Sequence, residues 1–197
     1  MRLLPLLLLV AAPVGAHAQW RVDLLAGSAT VSGHARDGAD PDHPQLRPDH
    51  PATWVAALSH DAGSWRLGVD ARRTTADLGE VSSSTAVITR GALAAWEGAA
   101  ELGRRIAGAP ERTSLTAGAA VVWDRWQFRD ITGASRSRWG GRGDLELAIP
   151  LGAHLSGIVR GEVLFEQSLF DADELPDGFT RQSGVRSGLL LGLARRW

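Results

Sequence analysis

The sequence predicts an all-β fold: an eight-stranded, antiparallel, up-and-down β-barrel that spans a membrane, with short periplasmic turns and longer extracellular loops. Three observations predict it. Apolar residues recur at every second position in eight segments, the charged residues of these segments share the opposite face, and the connections alternate between short and long. An even strand number with short turns at one end and long loops at the other is typical of bacterial outer-membrane barrels.

The first residues, "MRLLPLLLLVAAPVGAHA", precede this pattern and have a different character. Basic Arg2, an apolar stretch and the small-x-small ending Ala16-His17-Ala18 indicate a secretory signal peptide over 1–18. The apolar stretch is too short for a spanning helix, which needs ~20 residues. Residues 19–197 then form one outer-membrane β-barrel domain, exported to the outer membrane of a Gram-negative bacterium.

Composition excludes several classes of protein. The sequence has no Cys, so it forms no disulfide framework and no thiolate metal site. Its formal net charge is −1, which argues against a nucleic-acid partner. No apolar run after the signal peptide is long enough for a membrane helix.

The strands follow from a hydrophobic period of two, which places successive side chains on opposite faces. In "WRLGVDAR", for example, Trp65, Leu67 and Val69 alternate with Arg66, Gly68 and Asp70. The predicted strands lie near 20–32, 53–61, 64–76, 86–106, 112–127, 140–150, 154–169 and 183–197. The long connections between them are 33–52, 77–85, 128–138 and 170–182.

The strand near 86–106 is rich in Ala, and part of it could be interpreted as a helix. Gly91, Gly98 and Gly103 would each weaken a helix by about 1 kcal/mol, which favours a strand. On this strand, Ala92, Ala94 and Trp96 are predicted to share the apolar face.

The charged face carries acids and bases in nearly equal number. The predicted ion pairs of the barrel lumen involve Arg66, Asp70, Arg72, Glu97, Glu101, Asp144, Glu146, Arg160, Glu162, Glu166 and Arg186. The same face also carries Arg21, Asp23, Arg105, Asp124, Arg142 and Arg196. A lumen of eight strands is just wide enough to be filled by side chains, and guanidinium groups paired with carboxylates would satisfy one another there. The alternative is a half-exposed sheet whose charged face is solvated.

Tryptophan positions favour the membrane interpretation. The predicted aromatic girdle consists of Trp20, Trp54, Trp65, Trp96, Trp123, Trp139 and Trp197. Two aromatic belts that flank an apolar band are expected of a transmembrane barrel. Trp126 lies off this face and is predicted to cap the rim.

The ending "GLLLGLARRW" places Leu189, Leu191, Leu193 and the final residue, Trp197, on one face. It resembles the C-terminal signal by which the barrel-assembly machinery recognises outer-membrane barrels. Together with the signal peptide, it makes the whole mature chain similar to small eight-stranded bacterial outer-membrane β-barrel proteins. That resemblance implies the assembly machinery as a partner during biogenesis, and outer-membrane lipid and lipopolysaccharide as surroundings.

The first long loop contains the tetrapeptide Pro-Asp-His-Pro twice, at 41–44 and 48–51. His and Asp side chains can bind Zn²⁺, and the candidates here are His34, Asp42, His43, Asp49 and His50. Their spacing enforces no coordination geometry, so a polar loop stiffened by proline is the favoured interpretation and no metal site or cofactor is predicted.

Eight-stranded lipid A deacylases carry a His-x-Ser pair, and His154-Leu155-Ser156 is similar to it. The pair lies at a predicted periplasmic turn, far from the outer leaflet that holds lipid A. His60-Asp61 lies at another such turn and is interpreted as a pair that flanks the turn. No catalytic residue is therefore predicted.

The leading hypothesis is a non-enzymatic outer-membrane barrel with a charge-packed lumen, whose extracellular loops bind an unknown ligand. The alternatives are a lipid-modifying barrel enzyme of the deacylase or acyltransferase type, a narrow pore, and a soluble periplasmic barrel that holds an apolar ligand.

Overall fold

The computed structural model describes residues 19–38, 44–82, 86–129 and 135–197. The predicted signal peptide, 1–18, lies outside them. The strands are β1 (Gln19–Ser32), β2 (Ala35–Asp37), β3 (Gln45–Ala62), β4 (Trp65–Val81), β5 (Ala86–Gly108), β6 (Ser114–Phe128), β7 (Ser135–Pro150), β8 (Leu155–Glu166), β9 (Phe179–Arg181) and β10 (Gly184–Arg196). One 3₁₀ turn covers Ala172–Glu174. Within the described ranges, no helix has the length and hydropathy needed to cross a membrane.

Eight strands close into a ring of antiparallel pairs. Their order is β1-β10-β8-β7-β6-β5-β4-β3, and β3 returns to β1 through pairs such as Leu24 with Ala56. Closure removes the free sheet edge that an apolar terminal strand would otherwise present. The predicted eight-stranded, up-and-down barrel is confirmed, and the uncertain fourth segment is strand β5 throughout.

The two ends of the barrel differ. At the short-turn end, connections 63–64, 109–113 and 151–154 join neighbouring strands, and the Trp197 amide donates to the Trp20 carbonyl at 3.1 Å. At the long-loop end, β2 pairs with β3 and with β9, which forms a small ribbon outside the ring.

All four predicted long loops were wrong in extent. Loop 33–52 contains strand residues 35–37 and 45–52, loop 77–85 contains 77–81, loop 128–138 contains 128 and 135–138, and loop 170–182 contains 179–181. The strands continue to pair beyond the segments in which apolar residues alternate, for example at Gly79 with Arg47. Backbone hydrogen bonds extend these strands where side-chain periodicity has already ended.

The barrel is apolar outside and polar inside. Leu191 is 54% exposed on the outer wall, whereas its neighbour Leu190 is 2% exposed inside. The same alternation runs along β6, where Val121 and Trp123 are exposed and Val122 and Asp124 are buried. This arrangement suits a barrel surrounded by hydrocarbon rather than by water.

A bulge interrupts the alternation on β5. The β4–β5 register shifts between Ala76 and Leu78, which places the irregularity between Leu93 and Thr89 on β5. Ala92 lies within it and is fully buried, so its predicted place on the exposed apolar face is wrong, because a bulge changes the phase of the strand. Ala94 is also buried, but it pairs in regular register with the exposed Thr75 and Gln127 and so keeps the predicted face.

Candidate functional site: the lumen network and the apolar cap

The lower lumen, toward the short-turn end, is organised around one carboxylate, Glu146. Arg21 and Arg66 donate from Nη1 to its Oε1 at 2.6 and 2.7 Å, and Arg160 donates from Nη2 to its Oε2 at 2.6 Å. These residues lie on β1, β4, β7 and β8. A single buried carboxylate thus ties four strands together through charge-assisted hydrogen bonds.

A second cluster occupies the middle of the lumen. Arg142 donates to Asp70 at 2.6 Å and to Glu101 at 2.8 Å, and Arg72 donates to Asp70 at 2.9 Å and to Glu162 at 2.6 Å. Arg72 on β4 and Glu162 on β8 lie on opposite sides of the ring, so this ion pair crosses the lumen, whereas Arg72 and Asp70 lie on the same strand.

The third cluster lies nearer the long-loop end. Arg186 donates from both terminal nitrogens to the Glu97 carboxylate, at 2.8 and 2.5 Å, and Thr74 donates to the same carboxylate at 2.8 Å. A bidentate pair fixes the orientation of both side chains as well as their distance.

These three clusters form the lumen network. Its predicted members Arg66, Asp70, Arg72, Glu97, Glu101, Asp144, Glu146, Arg160, Glu166 and Arg186 are buried, and the side chain of Glu162 is 8% exposed. Gly118 makes room for one of them, because a Cβ there would lie 2.8 Å from both carboxylate oxygens of Asp144. A space bordered by Ser59, Arg66 and Glu101 among these charges measures only about 10 Å³, about the volume of one water probe. A wider space of about 250 Å³ opens at the short-turn end beside Asp61 and Arg105.

An apolar cluster, here called the apolar cap, closes the lumen at the long-loop end. It consists of Ala35, Ala76, Ala92, Leu93, Ala95, Trp126, Phe128, Leu169 and Phe170. Trp126 is 1% exposed within this cluster, so it helps to close this end of the barrel, as predicted, but from inside the lumen rather than at the rim. Asp124, Trp126 and Phe128 share one face of β6, which changes from charged to aromatic as the strand rises.

His34 lies at the boundary between the lumen network and the apolar cap. Its ring is fully buried, with Nε2 3.3 Å from Glu166 Oε1, and Nδ1 accepts from the Leu169 amide at 3.3 Å. Gly184 lies directly against the ring, since a Cβ there would approach Cε1 to 2.2 Å. His34 therefore joins a loop of the cap to the charged interior.

Two residues near the short turns differ in their contacts. Asp61 flanks the turn, as predicted, and it is also buried and accepts from Arg66 Nε at 2.8 Å, so it joins the lumen network. Arg105 is partly exposed and donates to the Gly63 carbonyl at 3.0 Å, so it lies at the turn and outside the network. The β3–β4 register places Asp61 opposite Arg66. The short turn between these two strands is the sequence feature from which this pair could have been predicted.

The aromatic girdle and the terminal stretch lie on the outer wall. The exposed tryptophans include Trp20, Trp54, Trp65, Trp96, Trp123, Trp139 and Trp197, and the exposed leucines of the last strand include Leu189, Leu191 and Leu193.

The candidate metal ligands of the first loop lie in different surroundings. His34 is buried, whereas His50 is exposed beside Asp49, with Nδ1 2.8 Å from Oδ2. Asp42 and His43 lie outside the described residues. Among the residues that the structure describes, no group of three or more His, Cys, Asp or Glu side chains could hold a metal ion.

The fold matches that of known barrels. No protein-family model and no curated protein sequence matches the chain. The crystal structure of Neisserial surface protein A (NspA) aligns with a TM-score of 0.56 at 11% identity, covering 90% of this chain and 95% of that chain. The outer membrane protein OprG from Pseudomonas aeruginosa aligns with a TM-score of 0.53 at 12% identity, covering 91% and 95% respectively. At such low identity the likeness shows the fold, that of small outer-membrane β-barrels.

Proposed function

We propose that this protein is a non-enzymatic, integral outer-membrane barrel whose closed interior is structural and whose long-loop end binds a ligand outside the cell. The observation that carries the proposal is the inverted surface. Exposed Leu, Val and Trp side chains surround the wall, while Arg and carboxylate side chains fill the interior. In water such an outer wall would be a large aggregation-prone patch, whereas in a bilayer it is solvated by lipid.

The interior supports a closed barrel rather than a pore. Ion pairs cross the lower lumen, and Trp126 and Phe128 fill the upper lumen beneath Leu169 and Phe170. A solute would have to displace both layers. Separating the ion pairs would leave uncompensated buried charges, which is costly.

The long-loop end supports a binding role. The hairpin of β4 and β5 continues beyond the apolar cap and exposes Val87 and Ile88 at 58% and 41%. The β2–β9 ribbon lies beside it on β3. Exposed apolar side chains on a rigid, paired backbone are typical of an interaction surface.

The residues considered for catalysis give the enzyme alternative no support. His154 is exposed in the connection 151–154, whereas Ser156 is buried in the lumen. A nucleophile and its base must first share a site that a substrate can enter.

The terminal strand supports assembly by the barrel-assembly machinery. Leu189, Leu191, Leu193 and Trp197 form an exposed apolar row along β10, in the form predicted for the C-terminal signal.

Cell fractionation and bilayer recording test the proposal. We expect the protein in the detergent-extracted outer-membrane fraction, with a folded form that migrates differently on gels before and after boiling. Reconstituted barrels should produce no conductance across a planar bilayer. Stable conductance steps would contradict the closed lumen, and recovery in the soluble periplasmic fraction would contradict the membrane assignment. A change in the lipid A profile on expression would contradict the non-enzymatic role.

A further inference from the structure

A row of alternating aromatic and cationic side chains crosses the outer wall near the long-loop end. Strand register pairs Trp54 with Arg73, Arg73 with Trp96 and Trp96 with Arg125. Trp54 and Trp96 are 69% and 54% exposed, and they flank Arg73 on either side. All four residues point away from the lumen, so this row faces whatever surrounds the barrel.

The height of the row places it at one membrane interface. On β4, Arg73 follows Trp65, the girdle residue of the short-turn end, by eight positions. Eight residues of strand cover about 26 Å. Because strands of such barrels tilt by about 35–45°, the row stands about 20 Å above Trp65, close to the ~25 Å height of an apolar band. In the proposed orientation this is the outer-leaflet interface.

Arg73 forms no ion pair with the acidic residues that the structure describes. Its Cζ lies 5.0 Å from the centre of the Trp96 ring, a cation–π distance. Its Nη1 is buried and has no hydrogen-bond partner among the residues that the structure describes. An unpaired guanidinium at the edge of hydrocarbon favours an anionic partner, and phosphate fits its planar fork.

A groove lies directly below the row. The next residues down the wall are Ala56, Ala71 and Gly98, which pair with one another in register. The small side chains of Ala56 and Ala71 line an apolar groove of about 900 Å³, with Trp54, Arg73 and Trp96 on its upper border and Leu193 and Trp197 below. A groove of this size accommodates more than one acyl chain.

We infer that this face binds the lipid A portion of lipopolysaccharide. Arg73 contacts a phosphate of its headgroup, the exposed faces of Trp54 and Trp96 stack on its sugar rings, and acyl chains lie over Ala56 and Ala71. Arg125, one strand beyond Trp96, is exposed and provides a second cation for the same headgroup. This inference rests on the proposed function, because it needs the barrel to be inserted with its long-loop end outward.

The combination of features favours lipid A over a glycerophospholipid. A single phosphodiester with two acyl chains would use one arginine and part of the groove. A phosphorylated, multiply acylated disaccharide uses two separated cations, the aromatic faces between them and the full groove.

Binding of fluorescent lipid A to the folded barrel in zwitterionic detergent tests the inference. The informative variant is Arg73→Gln, and its matched control is Arg104→Gln. Arg104 is an exposed residue whose Cζ lies 5.4 Å from the Trp65 ring at the opposite interface. Loss of one partly desolvated charge-assisted contact should weaken binding about tenfold in Arg73→Gln. Arg104→Gln should bind like the natural chain.

A second pair of variants tests the groove without changing charge. Ala71→Leu enlarges a side chain that lines the groove, and Ala119→Leu makes the same change elsewhere on the wall. Both alanines are exposed, so both variants should fold. We expect weaker lipid A binding only for Ala71→Leu.

Competitors decide which lipid is bound. Phosphorylated lipid A should displace the probe, whereas dephosphorylated lipid A and phosphatidylglycerol should displace it poorly. Displacement by phosphatidylglycerol at equal concentration would overturn the assignment to lipid A, and equal binding by Arg73→Gln and Arg104→Gln would overturn the site. Failure of the natural chain to show heat-modifiable folding would instead contradict the proposed function, so the two failures are distinguishable.

Discussion

The lower and upper halves of the barrel interior are filled by different kinds of side chain. In the lower half, charged side chains from strands across the ring neutralise one another, as around Glu146. In the upper half, Trp126 and Phe128 from the wall pack against Leu169 and Phe170 from a connection outside the ring. The lumen network therefore connects strands with strands, whereas the apolar cap connects strands with loops.

This difference has an energetic consequence. Each buried charge in the lumen network depends on a partner, so removing one group leaves the others uncompensated inside a low-dielectric wall. The apolar cap depends on packing, so removing a side chain leaves a cavity whose effect is local. Damage to the network should affect the whole barrel, and damage to the cap should affect the loops.

The largest effect is expected at the centre of the lumen network. Glu146→Gln keeps the shape of the side chain but leaves Arg21, Arg66 and Arg160 around a neutral group. We expect a loss of about 3–5 kcal/mol in the free energy of unfolding. Unfolding by urea in lipid vesicles measures it. Glu111→Gln, in an exposed turn, is the control and should change little. Equal stability of both variants would mean that the ion pairs do not hold the barrel together.

A smaller, local effect is expected in the apolar cap. Trp126→Ala removes the largest fully buried side chain of the cap. It should lower the free energy of unfolding by about 3 kcal/mol. The matched control is Trp123→Ala, three positions earlier on β6 and exposed on the outer wall. Limited proteolysis of the intact barrel should show faster cleavage in 167–183 for Trp126→Ala alone. Unchanged cleavage would contradict the role of the cap in holding that connection.

The smallest effect is expected at the boundary between the two regions. Gly184→Ala places a methyl group within 2.2–2.8 Å of His34 ring atoms, so the ring must shift from its present contacts with Glu166 and the Leu169 amide. We expect the free energy of local opening around His34 to fall by about 1–2 kcal/mol. Hydrogen exchange at the Leu169 amide, which donates to the His34 ring, should report it. Gly161→Ala, where a Cβ has open space, should leave this exchange unchanged.

The sequence predicts the barrel wall well because strand faces obey a strict period of two. The same period located the lumen network, since Arg66 and Asp70 could be assigned to one face without knowledge of their partners. It did not predict which charges pair, because Glu146 meets Arg21 only through ring closure.

The apolar cap was harder to predict for two reasons. Trp126 shares a face with Asp124, so an aromatic residue on the charged side looked like an exception rather than a change of environment. The bulge near Ala76 and Leu78 shifts the phase of β5, and periodicity alone carries no signal for it. Leu169 and Phe170 belong to a connection, whose packing follows no period.

In the proposed membrane assignment, the apolar face of each strand is exposed to lipid. The most direct test uses two adjacent positions on β10 in this cysteine-free chain. Cysteine is introduced by Leu191→Cys or Leu190→Cys, and the reconstituted barrel is treated with an apolar thiol reagent dissolved in the bilayer. We expect labelling of the Leu191→Cys variant and protection of the Leu190→Cys variant. Labelling of the Leu190→Cys variant with protection of the Leu191→Cys variant would contradict this assignment.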